Sequence, residues 1–137
     1  VWPKYSSFGP LAAHVGFVER SARGLARGVF HAMVRFGPKL ERRQGVLFRL
    51  VDVGAELFAM AATCSRAARL LHDDPTTGAH AMRVADVFCR QARGRVQAKF
   101  GGLWRNEDVP TYKVAQEVLE GEHVWLEAGM APVNYNA

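Results

Sequence analysis

Two adjacent carboxylates, Asp73 and Asp74, stand directly before Pro75 and raise the question of general acid–base chemistry. Such chemistry needs paired carboxyl groups whose environments separate their pKa values. The same residues fit a simpler role, because Asp caps the first N–H groups of a helix and Pro is tolerated at the first helical position. We therefore expect Asp74 to cap a helix that begins at Pro75, and we assign no catalytic residue to this pair.

Histidine and cysteine are common transition-metal ligands, but their spacing in this chain does not favour a metal site. No histidine lies at helical ligand spacing from another histidine or a cysteine. Cys64 and Cys89 lie inside apolar helical patterns, which favours buried free thiols in a reducing compartment, with a disulfide as the alternative. The sequence therefore predicts no metal ligand.

Cofactor-binding and nucleophilic motifs are also missing from the pattern. Gly24 and Gly28 fall inside a helical pattern instead of between a strand and a helix, so they do not predict a phosphate-binding loop. Asp86 lies at helical spacing from Arg83 and Arg90, which predicts surface ion pairs. We expect no catalytic and no cofactor-binding residue in this chain.

Charge is distributed unevenly along the chain. Residues 1–50 carry nine basic and two acidic side chains, whereas residues 106–137 carry one basic and six acidic ones. Arg20, Arg27 and Arg35 fall near one another on the first predicted helix and form a candidate basic face. Its occupant is an acidic protein surface, anionic lipid, the chain's own acidic segment or solvent. Nucleic acid is disfavoured because no recognition motif accompanies the arginines.

Prolines and apolar periodicity predict an all-α fold, an antiparallel helical bundle of three long helices with one or two short helices after them. The long helices are expected over about Pro10–Phe36, Lys39–His72 and Pro75–Arg105. Gly37 is expected to end the first, and Gly54 to let a neighbouring helix approach the second closely. The short segment from Pro110 to Leu119 is expected to bury Val114 and Val118, and another turn follows Gly121.

The length of 137 residues suits one domain, 1–137, and no apolar run is long enough to span a bilayer. The chain starts without an initiator methionine or a leader pattern, so we expect a module of a longer protein. The expected location is cytoplasmic, with peripheral membrane contact as a further expectation.

Three segments carry a resemblance to a known family. They are FGPLAAHVGFVERSARGLAR, LERRQGVLFRLVDVGAELFAMAATCSRA and VADVFCRQARGRVQ. Each resembles the C-terminal helical region of acyl-CoA dehydrogenases of the very-long-chain type, especially bacterial members. The resemblance implies a longer flavoenzyme with bound FAD and a glutamate base in its catalytic core, oxidising fatty acyl thioesters in β-oxidation. No segment here matches the flavin-binding or catalytic-base region.

The resemblance further implies that this chain is a non-catalytic module with the catalytic core as its partner, serving interdomain packing, oligomerisation and membrane approach. Four phenylalanines flank the inner seams and are candidates for interdomain packing, with a place in the chain's own core as the favoured alternative: Phe48, Phe58, Phe88 and Phe100. The alternative function is an independent helical interaction domain that binds an acidic protein, anionic lipid or nucleic acid through the basic face.

Overall fold

A computed structural model describes residues 4–129, which form two compact units divided between Arg105 and Asn106. The first unit contains the three long helices α1 (Ala12–Phe36), α2 (Gln44–Asp73) and α3 (Pro75–Gly101). The second contains α4 (Asp108–Leu119) and a 3₁₀ turn at Val124–Glu127. No β-strand occurs in the described part of the chain. The all-α prediction, with three long helices and short helices after them, is confirmed.

Helix α1 follows a 3₁₀ segment, Ser6–Leu11, and so begins two residues later than predicted. Its end at Phe36 is as predicted, because Gly37 adopts a φ of 48° that ordinary side chains disfavour. A second 3₁₀ segment, Gly37–Arg42, replaces the predicted first turn of α2. Arg43 has non-helical backbone angles and its N–H donates to the carbonyl of Leu40, so α2 starts only at Gln44.

Helices α2 and α3 form a tight antiparallel hairpin, with α2 about 45 Å long. Asp74 is extended, as expected before proline, and its carboxylate accepts a hydrogen bond from the N–H of Thr76 at 2.9 Å. The predicted cap is therefore confirmed. Helix α3 ends at Gly101, short of the predicted Arg105, because the N–H of Leu103 turns back to the carbonyl of Phe100.

Two ion pairs, and a contact between the thiols of Cys64 and Cys89, define which residues of α2 and α3 lie opposite each other. Arg95 binds the Glu56 carboxylate at 2.6 and 2.9 Å. Lys99 binds Asp52 at 2.5 Å one turn further along. The residue numbers fall along α2 as they rise along α3, so the two helices are antiparallel neighbours.

The core lies along the inner face of α2. Apolar spacing on α3 predicts a buried stripe, and its members are buried: Met82, Ala85, Cys89, Ala92, Val96 and, beyond the helix end, Leu103. Apolar spacing on α1 predicts a stripe that includes Ala22 and Val29. Both are exposed, whereas His14 and Phe17 are buried, so the α1 prediction was partly wrong. Val15, Val18 and Leu25 of α1 still pack against the core, and His14 and Phe17 lie beside them.

The second unit buries less than predicted. Val114 and Val118 on α4 are half exposed, so the prediction that this short helix buries them was wrong. Alternating apolar spacing on a twelve-residue helix indicates an apolar face, but burial needs a packing partner for that face.

Candidate binding surfaces

A cleft of about 430 Å³ lies between α1 and the C-terminal end of α3. Arg20 and Arg27, two members of the predicted basic face, line its α1 wall together with His31. Phe100, Leu103 and Trp104 form much of the opposite wall. Two of the three predicted arginines therefore line one cleft, and the sequence pattern did not reveal the aromatic wall that faces them.

Arg35, the third predicted member, is positioned differently. Its guanidinium carbon lies 5.6 Å from the ring centroid of Trp104 and 5.7 Å from that of Phe36. The two aromatic rings stack at 6.4 Å. Because Trp104 also lines the cleft, Arg35 lies at one end of the same basic surface without lining the cleft itself.

The cleft carries positive charge without a local counter-charge. None of its lining residues is acidic, and neither Arg20 nor Arg27 forms an ion pair with any residue in 4–129. Arg93 lies 4.8 Å from the ring centroid of Phe17, another lining residue, and likewise has no carboxylate partner in that range. Such positive charge beside apolar walls attracts an anionic group.

Arg23 of α1 and Lys4, which precedes the helix, are neutralised by Glu19. Glu19 accepts hydrogen bonds from Lys4 and Arg23, and from the Tyr5 hydroxyl at 2.7 Å. These contacts, first the one from Lys4, lower the pKa of Glu19 to about 2. Glu19 therefore stays ionised at neutral pH and anchors the segment before α1, while Arg20 and Arg27 keep their charge unmatched.

The outward face of α2 is apolar as well as its inward face. Phe48 and Phe58, two predicted packing residues, are 63% and 75% exposed, and Val51 between them is 66% exposed. Ala55 and Ala62 continue the same side at alternating three- and four-residue spacing and are exposed too. We name these five residues the outward apolar face of α2. The favoured alternative, that these phenylalanines fill the chain's own core, was wrong for Phe48 and Phe58.

The other two predicted packing residues have a different environment. Phe88 and Phe100 are half buried and pack against the core. Arg95 lies over the Phe88 ring at 5.9 Å while it also binds Glu56. Phe88 and Phe100 thus belong largely to the bundle, and the outward face consists of α2 residues.

The two thiols are fully buried and free, with their sulfur atoms 3.6 Å apart across the α2–α3 contact. Burial raises the pKa of Cys64, and burial together with the Cys64 contact raises that of Cys89 to about 12. Neither sulfur is a thiolate at neutral pH, and a thiolate is what nucleophilic or metal chemistry requires.

Sequence reasoning missed one polar contact in the core. The Nε2 of His14 donates to Asp86 Oδ1 at 2.9 Å, since an ionised carboxylate can only accept. Asp86 also binds Arg90 at 2.8 Å, which confirms that predicted ion pair, whereas Arg83 contacts His80 instead. Only a search for polar residues on apolar helix faces would have found His14.

Both carboxylates of the acidic pair Asp73–Asp74 accept hydrogen bonds from nearby residues. Asp73 accepts from Arg69 at 2.7 Å, and Asp74 is the helix cap. These hydrogen bonds lower the pKa of each carboxyl group, chiefly through Arg69 for Asp73 and through Thr77 for Asp74. The two acids share the same protonation state at neutral pH, and no group of three metal-binding side chains occurs within residues 4–129.

Among the described residues, Gly24 and Gly28 do not form a cradle for the FAD that the resemblance implies. In the dinucleotide-binding motif, the pyrophosphate is bound by free backbone N–H groups at a glycine-rich helix start. Gly24 and Gly28 lie in the middle of α1, where a methyl at Gly24 would meet Phe100 at 3.6 Å. These glycines therefore admit neighbouring side chains instead of a phosphate.

The relatives of this chain agree with the resemblance. The family model described as ACAD9/ACADV, C-terminal domain, matches residues 10–124. The probable acyl-CoA dehydrogenases FadE10 of Mycobacterium bovis and Mycobacterium tuberculosis are 49% identical over 126 residues, which are 92% of this chain and 19% of theirs. The human mitochondrial very long-chain specific acyl-CoA dehydrogenase is 27% identical over 123 residues, which are 87% of this chain and 18% of its own.

The chain thus spans less than one fifth of the length of these curated relatives. No solved structure matches it significantly. The family match covers α1, α2, α3 and α4, so it includes both the basic cleft and the outward face of α2. The chain belongs to the family of C-terminal domains of acyl-CoA dehydrogenases of the ACAD9/ACADV type.

Proposed function

We propose that this chain is the non-catalytic C-terminal module of an FAD-dependent acyl-CoA dehydrogenase of fatty acid β-oxidation, and that it packs against the rest of the enzyme through the outward apolar face of α2. The observation that carries this proposal is the exposure of Phe48, Val51 and Phe58 on one side of α2. A contiguous exposed apolar patch marks an interaction surface.

The length of the relatives supports the rest of the enzyme as the occupant of that face. They are about five times as long as the matched segment, so more than four fifths of each lies outside it. Domains within one chain bury apolar surface at their interfaces, which reduces domain motion when the interface is large. Flavin, the catalytic base and the acyl thioester are then held by that larger part, and this module stabilises its arrangement and the contacts between subunits.

The proposal also includes a cytoplasmic location with peripheral contact to a membrane. Three large apolar residues, Phe30, Met33 and Val34, are more than half exposed near the end of α1. Basic residues beside exposed apolar ones suit the surface of an anionic membrane. In the described part of the chain no helix is long and apolar enough to cross a bilayer.

The activity is tested on the purified full-length protein by its absorbance spectrum. We expect the bands of oxidised flavin, and we expect them to bleach when a long-chain acyl-CoA is added under anaerobic conditions. A protein without flavin, or a flavin that no acyl-CoA reduces, would contradict the dehydrogenase proposal.

The membrane contact is tested by flotation with anionic vesicles, which compares the full-length protein with its Phe30→Ser/Val34→Ser variant. Equal flotation of both proteins would contradict it.

A further inference from the structure

The basic cleft is elongated along α1. Its lining runs from Phe17 to His31, a separation of fourteen residues, or about 21 Å of helix. Between Arg20 and Arg27 the lining residues on this wall are small, namely Ser21 and Gly24. The α1 wall therefore carries two cations separated by small side chains, and it faces the aromatic wall.

The spacing of the arginines distinguishes among anionic occupants. Arg20 and Arg27 are seven residues apart, which is about 10.5 Å along the axis, and Arg35 follows eight residues later. A single compact anion meets one of these sites at a time. A second helix presents side chains on one face at the same seven-residue interval, so its carboxylates would face both arginines together.

The walls between the cations favour an apolar contact in the middle. Phe100 and Leu103 pack against the core with Gly24 and Gly28 beside them, and they still line the cleft. Arginine and large aromatic residues are also the types that contribute most of the energy at protein interfaces. An apolar side chain of a partner helix would rest on Phe100.

From this arrangement we propose that the cleft between α1 and the end of α3 docks an acidic amphipathic helix of another protein, with carboxylates seven residues apart facing Arg20 and Arg27 and an apolar side chain between them on Phe100. The partner is defined by this chemistry. The proposal rests on unpaired arginines of α1, so it is independent of the outward face of α2 and of the proposed enzymatic role.

The test measures fluorescence anisotropy of a labelled synthetic helix titrated with the full-length protein. The probe carries glutamate at every seventh position with leucine midway between, and a second probe replaces each glutamate by glutamine. We expect the acidic probe to bind and to weaken steeply as salt is added. We expect the double variant Arg20→Gln/Arg27→Gln to bind it at least about tenfold more weakly.

The matched control is Arg66→Gln/Arg83→Gln, which removes the same charge from exposed residues that do not line the cleft. It should bind the acidic probe as the wild type does. Equal binding by the two double variants, equal binding of the two probes, or no binding of the acidic probe would each overturn the proposal. Preferential binding of inorganic phosphate, a single-stranded oligonucleotide or anionic vesicles at Arg20 and Arg27 would also overturn it in favour of that ligand.

Discussion

His14 of α1 and Asp86 of α3 are joined by a hydrogen bond of 2.9 Å between Nε2 and Oδ1, although His14 is almost fully buried. The other ring nitrogen, Nδ1, is buried and has no hydrogen-bond partner among the described residues. With the hydrogen on Nε2, Nδ1 carries only a lone pair, which is less costly to leave unpaired than an N–H donor. This contact fixes α1 against α3, and it lowers the pKa of Asp86.

Removing this contact is expected to destabilise the bundle. His14→Ala should lower the free energy of unfolding by about 1–3 kcal/mol, because it removes a buried ring and a hydrogen bond to a charged group. Arg90→Gln is the control, since it removes only the exposed partner of Asp86 and should change the value by less than about 1 kcal/mol. Urea unfolding followed by circular dichroism measures both, and equal effects would contradict the structural role of His14.

Gly78 is expected to tolerate substitution far less than Gly54. A methyl group on Gly78 would lie 2.1 Å from the Cα of Leu71, a backbone atom of the adjoining helix that cannot move alone. A methyl on Gly54 would meet only a side-chain carbon of Leu25 at 3.6 Å, an ordinary contact. Gly78→Ala should therefore lower the melting temperature clearly.

Gly54→Ala is the matched comparison and should be neutral or stabilising by up to about 1 kcal/mol, because alanine favours helix. The sequence predicted a close approach of helices at Gly54, whereas the closer approach in the structure is at Gly78. If Gly54→Ala destabilised as much as Gly78→Ala in thermal unfolding, the tight hairpin between α2 and α3 would be misplaced.

The bundle could be predicted from sequence because prolines, Gly37 and the buried stripe of α3 are local signals. The buried position of His14 on α1 was missed because apolar periodicity does not count histidine. The outward face of α2 was visible as apolar spacing, yet its exposure depends on which helices surround it. The basic cleft could not be predicted from the sequence alone. Phe100 and Trp104 lie beside α1 only because the chain reverses between α2 and α3 and brings the end of α3 back to α1.

Glu19 is expected to titrate far below an ordinary glutamate. Lys4, Tyr5 and Arg23 hold its pKa at about 2, so its stabilising contribution is complete above about pH 4.3 and is lost as the pH falls toward 2. Carbon-detected NMR of the side-chain carboxyl group should give that midpoint. Tyr5→Phe should raise the midpoint, whereas Tyr112→Phe, in the second unit, should leave it unchanged. A midpoint in the usual range for the wild type would contradict the Lys4–Tyr5–Glu19 contacts.

The thiols are expected to resist alkylation in the folded protein. At pH 8, iodoacetamide should modify Cys64 and Cys89 much more slowly in native protein than in urea, because both are buried and their pKa values are raised. Since the folded pKa of Cys89 is above the unfolded one, its contribution to stability is complete below about pH 8.5 and decreases as the pH rises toward 12. Mass spectrometry of the labelled peptides follows the reaction, and equal rates in both states would contradict this environment.

The packing of this module through α2 is tested most directly by limited proteolysis of the full-length protein. Phe48→Glu/Phe58→Glu places two charges on the outward apolar face of α2, and Val84→Glu/Val87→Glu places two on exposed apolar positions of α3. If α2 packs against the rest of the enzyme, the phenylalanine variant will release a fragment containing this module several-fold faster than wild type, and the valine variant will not. Equal release from the wild type and the phenylalanine variant would contradict the proposal that this face holds the module to its enzyme.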